Sequence, residues 1–163
     1  MSEVFEVDLS VHGIERLKKF LMGKQKWLDR KTDELCKRLA EMGAVKASLN
    51  FSRVVYTGNE DHEISVHKID GGYAVRADGE TVLFVEFGTG LVGYGHPESH
   101  GLGPGTYPGK GHWDDPSGWW LPRSKNNGHS QHTFGNPPNA PMYNTVKELE
   151  QELERVVREV FAG

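Results

Sequence analysis

The side chains best suited to chemistry crowd into one stretch of this chain. His96, His100, His112, His129 and His132 fall between Gly88 and Pro141, with Glu98, Asp114 and Asp115 among them. Imidazoles and carboxylates hold divalent metals, so a metal-dependent hydrolase or nuclease is one reading of this segment. The spacing His96-x-x-x-His100 matches half of a zinc-protease motif, which needs a helix to bring both imidazoles to one side and a Glu directly after the first His. Pro97 occupies that Glu position, and Gly95 and Gly101 flank the run, which excludes a helical metalloprotease site. What remains is an irregular site that uses His129 and His132, or histidines that cap turns and contact a partner. A His-Asn-His nuclease would draw on Asn126, Asn127, His129 and His132. It needs a hairpin and a helix to hold one metal over a phosphate, and LPRSKNNGHSQHTFGNPPN has no helical pattern.

Other catalytic signatures are weaker still. Gly88-Thr89-Gly90 follows an apolar run, but it lacks both the dinucleotide fingerprint and a Gly-Lys-Ser/Thr ending, so it reads as a turn. No Gly-x-Ser-x-Gly elbow surrounds Ser117, Ser124 or Ser130. Glu86 is more informative, because a carboxylate among Val82, Phe84, Val85 and Phe87 is costly to bury unless it is paired or accepts backbone hydrogen bonds. Either it is catalytic, or it is an anchor that accepts amides from the Gly88–Gly93 turn or pairs with Arg76 or Arg53. With no second carboxylate or nucleophile at a fixed spacing, the anchor is the preferred reading, and no catalytic residue, cofactor or metal is assigned.

The elements that must position these residues flank the stretch. Ile14, Leu17, Phe20, Leu21, Leu28, Leu35, Leu39 and Met42 recur at helical spacing, which predicts a short helix, a break near Gly23, and a longer helix that bends on past Gly43 to about residue 52. His62–Ile69 and Tyr73–Ala77 alternate like strands around Gly71-Gly72, a hairpin signal. Thr81–Phe87 is apolar on both faces apart from Glu86. That suits a covered central strand, with a short helical turn as the alternative. Val146, Leu149, Leu153, Val156, Val157 and Val160 predict a helix over about 145–161, which Thr145 and Glu148 would open as a capping box. The fold class expected is α+β: N-terminal helices and a C-terminal helix packed on a small, mainly antiparallel sheet.

Composition bounds the function. All eight prolines, twelve of the 20 glycines and three of the four tryptophans lie in residues 88–141, so 1–163 reads as a single domain with one long irregular Gly/Pro/Trp-rich insert. Trp113, Trp119 and Trp120 fall within eight residues there, rings that pack on the subunit's own sheet or on a neighbouring subunit. The net charge of −4 argues against sequence-specific nucleic-acid binding. No apolar run approaches the roughly 18 residues of a membrane span, and the acidic N-terminus is unlike a secretory signal, so the chain is expected to remain in the cytoplasm where it is made. The lone Cys36 cannot form an internal disulfide. Residues 13–42 hold nine Lys/Arg against five Asp/Glu, while residues 145–163 hold three against five. The two regions are therefore suited to face each other within a subunit or between subunits.

Three stretches together resemble a known family. Val82–Gly90 (VLFVEFGTG), the insert with Gly118-Trp119-Trp120, and Asn139–Leu149 (NAPMYNTVKEL) resemble, in this order, the tail-completion or head–tail joining minor structural proteins of long-tailed, siphovirus-type DNA bacteriophages and prophages. Glu86, Phe87, Gly88, Thr89 and Gly90 match the family's strand-end signature, and Met142, Tyr143, Asn144 and Thr145 match the segment before its last helix. Where this chain has Ala140-Pro141 the family more typically has Pro-Phe, which leaves Met142 or Tyr143 to supply the missing plug. The resemblance implies a non-enzymatic virion protein with Glu86, Gly88 and Thr89 as structural anchor. Trp113, Trp119, Trp120, Met142 and Tyr143 are the interface candidates. Its partners would be the head connector and the tail terminator or tail tube. It would act as a homo-oligomeric ring, a hexamer in register with the tail, and be monomeric when free.

Overall fold

The computed structural model describes residues 6, 8–54, 62–90, 117–121, 128 and 130–162. Their architecture is α+β, as the sequence predicts. The spine is a single helix, α1 (Val11–Ser52), about 63 Å long at about 1.5 Å per residue. Ser10 opens it: its hydroxyl accepts from the Gly13 amide at 3.0 Å, while the Asp8 carboxylate accepts from the Ser10 amide at 2.8 Å. The break expected at Gly23 does not occur. An interior glycine costs a helix only about 1 kcal/mol relative to alanine, and its neighbours Leu21, Met22, Lys24 and Gln25 are strong helix formers.

The hairpin forms where the alternation places it. Strands β1 (Glu63–Ile69) and β2 (Gly72–Asp78) pair antiparallel, with Val66 opposite Val75 and Ile69 opposite Gly72. The two-residue loop is therefore Asp70-Gly71, one position earlier than the Gly71-Gly72 reading. Gly71 takes a φ of 78°, a backbone conformation that glycine adopts without strain.

Residues 82–87 are helical, which corrects the strand reading. In α2 (Val82–Phe87), a helix places Val82, Val85 and Glu86 at i, i+3 and i+4 on one buried face, whereas a strand would have divided them between two faces. Such a short apolar run carries too few residues for periodicity to choose. Val82 and Val85 pack with Phe51, Val54, Ile64, Ala77 and Met142 around the C-terminal end of α1.

The segment read as one irregular insert contains strands. β3 (Thr89–Gly90) pairs antiparallel with β6 (Gly135–Asn136), and β4 (Trp119–Leu121) with β5 (Gln131–Thr133). The last element, α3 (Pro141–Ala162), lies antiparallel against α1: Asn50 meets Thr145, Lys46 meets Glu148, and Arg38 meets Glu159. Arg38, from the basic region 13–42, thus pairs with an acid of α3 inside the subunit. Small residues on α1, Ala40, Gly43 and Ala47, let the helices approach, and α3 answers with the fully buried Val156 and Val160. Each valine contributes roughly 1.5–3 kcal/mol on burial.

Candidate functional site

The start of α3 shows why Glu86 is where it is. Ala140, in the position before the helix, has no side-chain acceptor and takes a φ of 50°; Pro141 follows and has no amide hydrogen. The next two amides, Met142 and Tyr143, therefore need an acceptor from elsewhere. Glu86 supplies it across 56 and 57 residues of sequence, with Oε2 2.8 Å from the Met142 nitrogen and Oε1 3.0 Å from the Tyr143 nitrogen. A carboxylate is favoured here twice over, by charge-assisted hydrogen bonds and by the positive end of the helix dipole. The polypeptide backbone doubles the link: the Asn139 amide donates to the Val85 carbonyl at 2.9 Å, and the Ala140 amide to the Glu86 carbonyl at 3.2 Å.

Thr89 extends this joint. It is buried, and its hydroxyl accepts from the Asn136 amide at 3.0 Å beside the β3–β6 pair. Gly88, at a φ of 75°, turns the chain from α2 into β3. The two motifs Glu86–Gly90 and Asn139–Thr145, far apart in sequence, are therefore the two sides of one latch. The Met142 and Tyr143 amides are partners of Glu86 that the sequence reading did not name. The missed signal was local: an Ala-Pro helix start leaves the amides of 142 and 143 to find a distant acceptor.

The capping box expected at Thr145 and Glu148 is replaced by a network between helices. The helix begins four residues earlier, and the Thr145 hydroxyl, buried, donates to the Pro141 carbonyl at 2.8 Å and accepts from Asn50 Nδ2 at 3.0 Å. Glu148 accepts from Lys46 at 3.1 Å and from Asn50 at 3.3 Å. The Lys46 ammonium, then the Asn50 amide, hold the Glu148 carboxyl below the usual glutamate range. A carboxylate with a depressed folded-state pKa contributes stability that is complete at neutral pH and is lost as pH falls through that depressed value. Acidification below the usual glutamate range should lower Tm, and Glu148→Gln should flatten this acid limb. The partly exposed pair limits the difference to about 1–2 °C, read by circular dichroism.

The β4–β5 pair divides the tryptophans. Trp119 is opposite Thr133 and Trp120 opposite His132, so adjacent side chains point to opposite faces. Trp119 is 8% exposed; Trp120 is 66% exposed. On the outer face Trp120 meets His132 edge-on with ring centroids 5.1 Å apart, and His132 meets Phe134 likewise at 5.0 Å. These three rings form an exposed aromatic ladder. Gly118, at a φ of 72°, lets the strands close, because a Cβ there would lie 2.4 Å from the Thr133 carbonyl oxygen.

Met142 joins the Phe51–Val82–Val85 cluster, and Tyr143 is half-buried beneath the Lys147 ammonium, 5.6 Å from the ring centroid. Trp113, His96, His100, His112 and His129 lie outside the described residues. Among the described residues no three His, Cys, Asp or Glu side chains converge on a point that would hold a metal, and no helix is long and apolar enough to cross a membrane. Comparison with family models, with curated proteins and with solved structures finds no match to this chain.

Proposed function

We propose that this chain is a non-enzymatic virion protein, a tail-completion or head–tail joining component that assembles as a ring between the head connector and the tail tube of a long-tailed phage. The observation that carries the reading is the latch. The two most specific stretches of the family resemblance, Glu86–Gly90 and Asn139–Thr145, meet in one joint through the Glu86 carboxylate. Residues matched for separate reasons thus have one shared structural purpose, to fix the entry of α3. The Glu86 oxygens take up backbone amides, which suits an anchor better than an acid or base. An acidic chain also suits a passage for DNA, since basic surfaces bind phosphates strongly.

The exposed ladder of Trp120, His132 and Phe134 is the surface assigned to assembly. Aromatic rings are enriched at the buried centres of protein interfaces, where they bring large area at small entropic cost. Trp119 is assigned to the subunit's own packing. Trp120→Ala should leave Tm within about 2 °C of wild type while reducing incorporation into particles at least tenfold, the size of a lost hot spot; Trp119→Ala should instead lower Tm. Mass spectrometry of purified particles of the phage that encodes the chain tests the reading directly. Its absence from particles would overturn it, as would stoichiometric zinc that is lost on His129→Ala or His132→Ala.

A further inference from the structure

The hairpin is a sheet of two strands, and among the described residues no further strand extends it. β2 is half-buried along most of its length, whereas β1 is exposed from Val66 to Ile69, so β1 is the open edge. In an antiparallel pair the residues of a strand alternate between those that bond to the partner strand and those whose N–H and C=O point away from it. Counted from Ile69 and Gly72, which close the two-residue loop, the outward groups of β1 belong to Ile64, Val66 and Lys68. Proteins blunt such an edge with a proline, a bulge or a free charge. β1 has no proline, its register with β2 runs through all seven residues without a bulge, and its one lysine, Lys68, is drawn to Asp33 of α1 at 3.3 Å.

The side chains also leave a place beside this edge. Ile64 packs against the Phe51 cluster and Lys68 reaches Asp33, so the face of β1 that carries Ile64, Val66 and Lys68 is the one turned to α1. Val66 lies on that covered face and still keeps 37% of its surface exposed. A strand added to β1 would cover it.

The chain holds a segment of matching pattern and length. In residues 3–9, Phe5, Val7 and Leu9 alternate with Glu6 and Asp8, the period of a strand. Residues 3–5 and 7 lie outside the described residues, and Asp8 is engaged in the cap of α1. That leaves residues 3–7, five in number, to lie beside residues 64–68, also five. The same copy cannot supply them. Lys68 marks the level of Asp33 on α1, and Ser10 lies about 35 Å farther along that continuous helix, whereas the three residues that separate Val7 from Ser10 span at most about 11 Å.

We infer that residues 3–7 of one copy of this chain add as a strand to the outer edge of β1 in a second copy, with Phe5 opposite Val66. The outward backbone groups of Ile64, Val66 and Lys68 supply the hydrogen bonds, and alternate side chains supply the specificity. Register is fixed by the apolar face: in place, Phe5 and Val7 lie on the side of Val66, and a slip of one residue would bring Glu6 there instead. The contact joins two different surfaces, so repeating it from copy to copy propagates and can close a ring. This deepens the ring proposed above and rests on that reading for closure alone.

The test uses the full chain with Cys36→Ser, so that no native thiol competes. One preparation carries Phe5→Cys and another Val66→Cys, positions that face each other whichever way the added strand runs. Mixed and oxidised, they should form the 5–66 disulfide at least tenfold above either homodimer, and a chain carrying both cysteines should give a ladder of multimers. Predominant 66–66 dimers, which would mean that two β1 edges pair with each other, predominant 5–5 dimers, or no crosslink at any concentration would overturn the contact. Amide exchange read by NMR tests the chain with its edge unaltered. At raised concentration the Ile64, Val66 and Lys68 amides should exchange at least tenfold more slowly than in dilute solution, and Phe5→Asp should abolish the difference. Rates independent of concentration, or slowing that survives Phe5→Asp, would overturn it too. The outcomes separate from those of the neck reading. A crosslink with the chain missing from particles keeps the contact and removes the neck role, and the reverse result does the opposite.

Discussion

Glu86→Ala should lower the unfolding free energy by about 3 kcal/mol, the largest loss expected from a single polar side chain in this structure. The substitution removes two charge-assisted hydrogen bonds and leaves the Met142 and Tyr143 amides, at the start of a 22-residue helix, without that acceptor in a part-buried setting. For a chain of this size the corresponding fall in Tm is roughly 6–12 °C. Glu86→Gln should lie between alanine and wild type, because one carbonyl oxygen can still receive one amide while the new NH2 group opposes the other. Glu86→Asp should lose nearly as much as alanine, since a side chain one methylene shorter falls short of both amides. Thermal unfolding by circular dichroism ranks the three. Equal stability for glutamine and wild type would show that charge plays no part, and a shift below about 2 °C for alanine would remove the latch.

That joint also shows where sequence reasoning stops. The anchor reading of Glu86 followed from a local conflict, a charge inside an apolar run, and any buried solution had to satisfy it. The Met142 and Tyr143 amides that it holds lie more than fifty residues away, and no periodicity reports a pairing of that kind. The helix of 82–87 was ambiguous for a related reason: six residues fit either period, and the choice is made by packing against Phe51 and Met142. By contrast, the hairpin was legible because it rests on many residues with one repeating pattern. The α3 stripe was legible but coarse. Its apolar positions divide between a buried seam, Val156 and Val160, and an exposed edge, Val146 and Leu153, and only the neighbouring helix determines which is which.

Gly43 is a point of close approach in that seam and carries the second large expectation. α1 passes there between α3 and the hairpin, and a Cβ on Gly43 would lie 3.1 Å from Leu149 Cδ1 and 3.2 Å from Val75 Cγ2. Gly43→Ala sets two effects against each other. Helix propensity favours alanine by about 1 kcal/mol, while two neighbours must each yield by a few tenths of an ångström, so the net change should stay within about 1 kcal/mol. Gly43→Leu has no such balance. Its added atoms must enter a gap already closed on both sides, and the loss should reach about 3 kcal/mol, with α1 forced off either α3 or β2. A size exchange identifies which: Leu149→Ala in the Gly43→Leu background should recover more than 1 kcal/mol if the α3 side is the tighter, whereas Val75→Ala should do so if the sheet is. Because the two sites touch, such recovery is a coupling energy and not the sum of independent changes. If Gly43→Leu unfolds at the wild-type temperature, close approach at Gly43 does not hold the three elements together, and the seam must owe its stability to the valines and the Asn50 network alone.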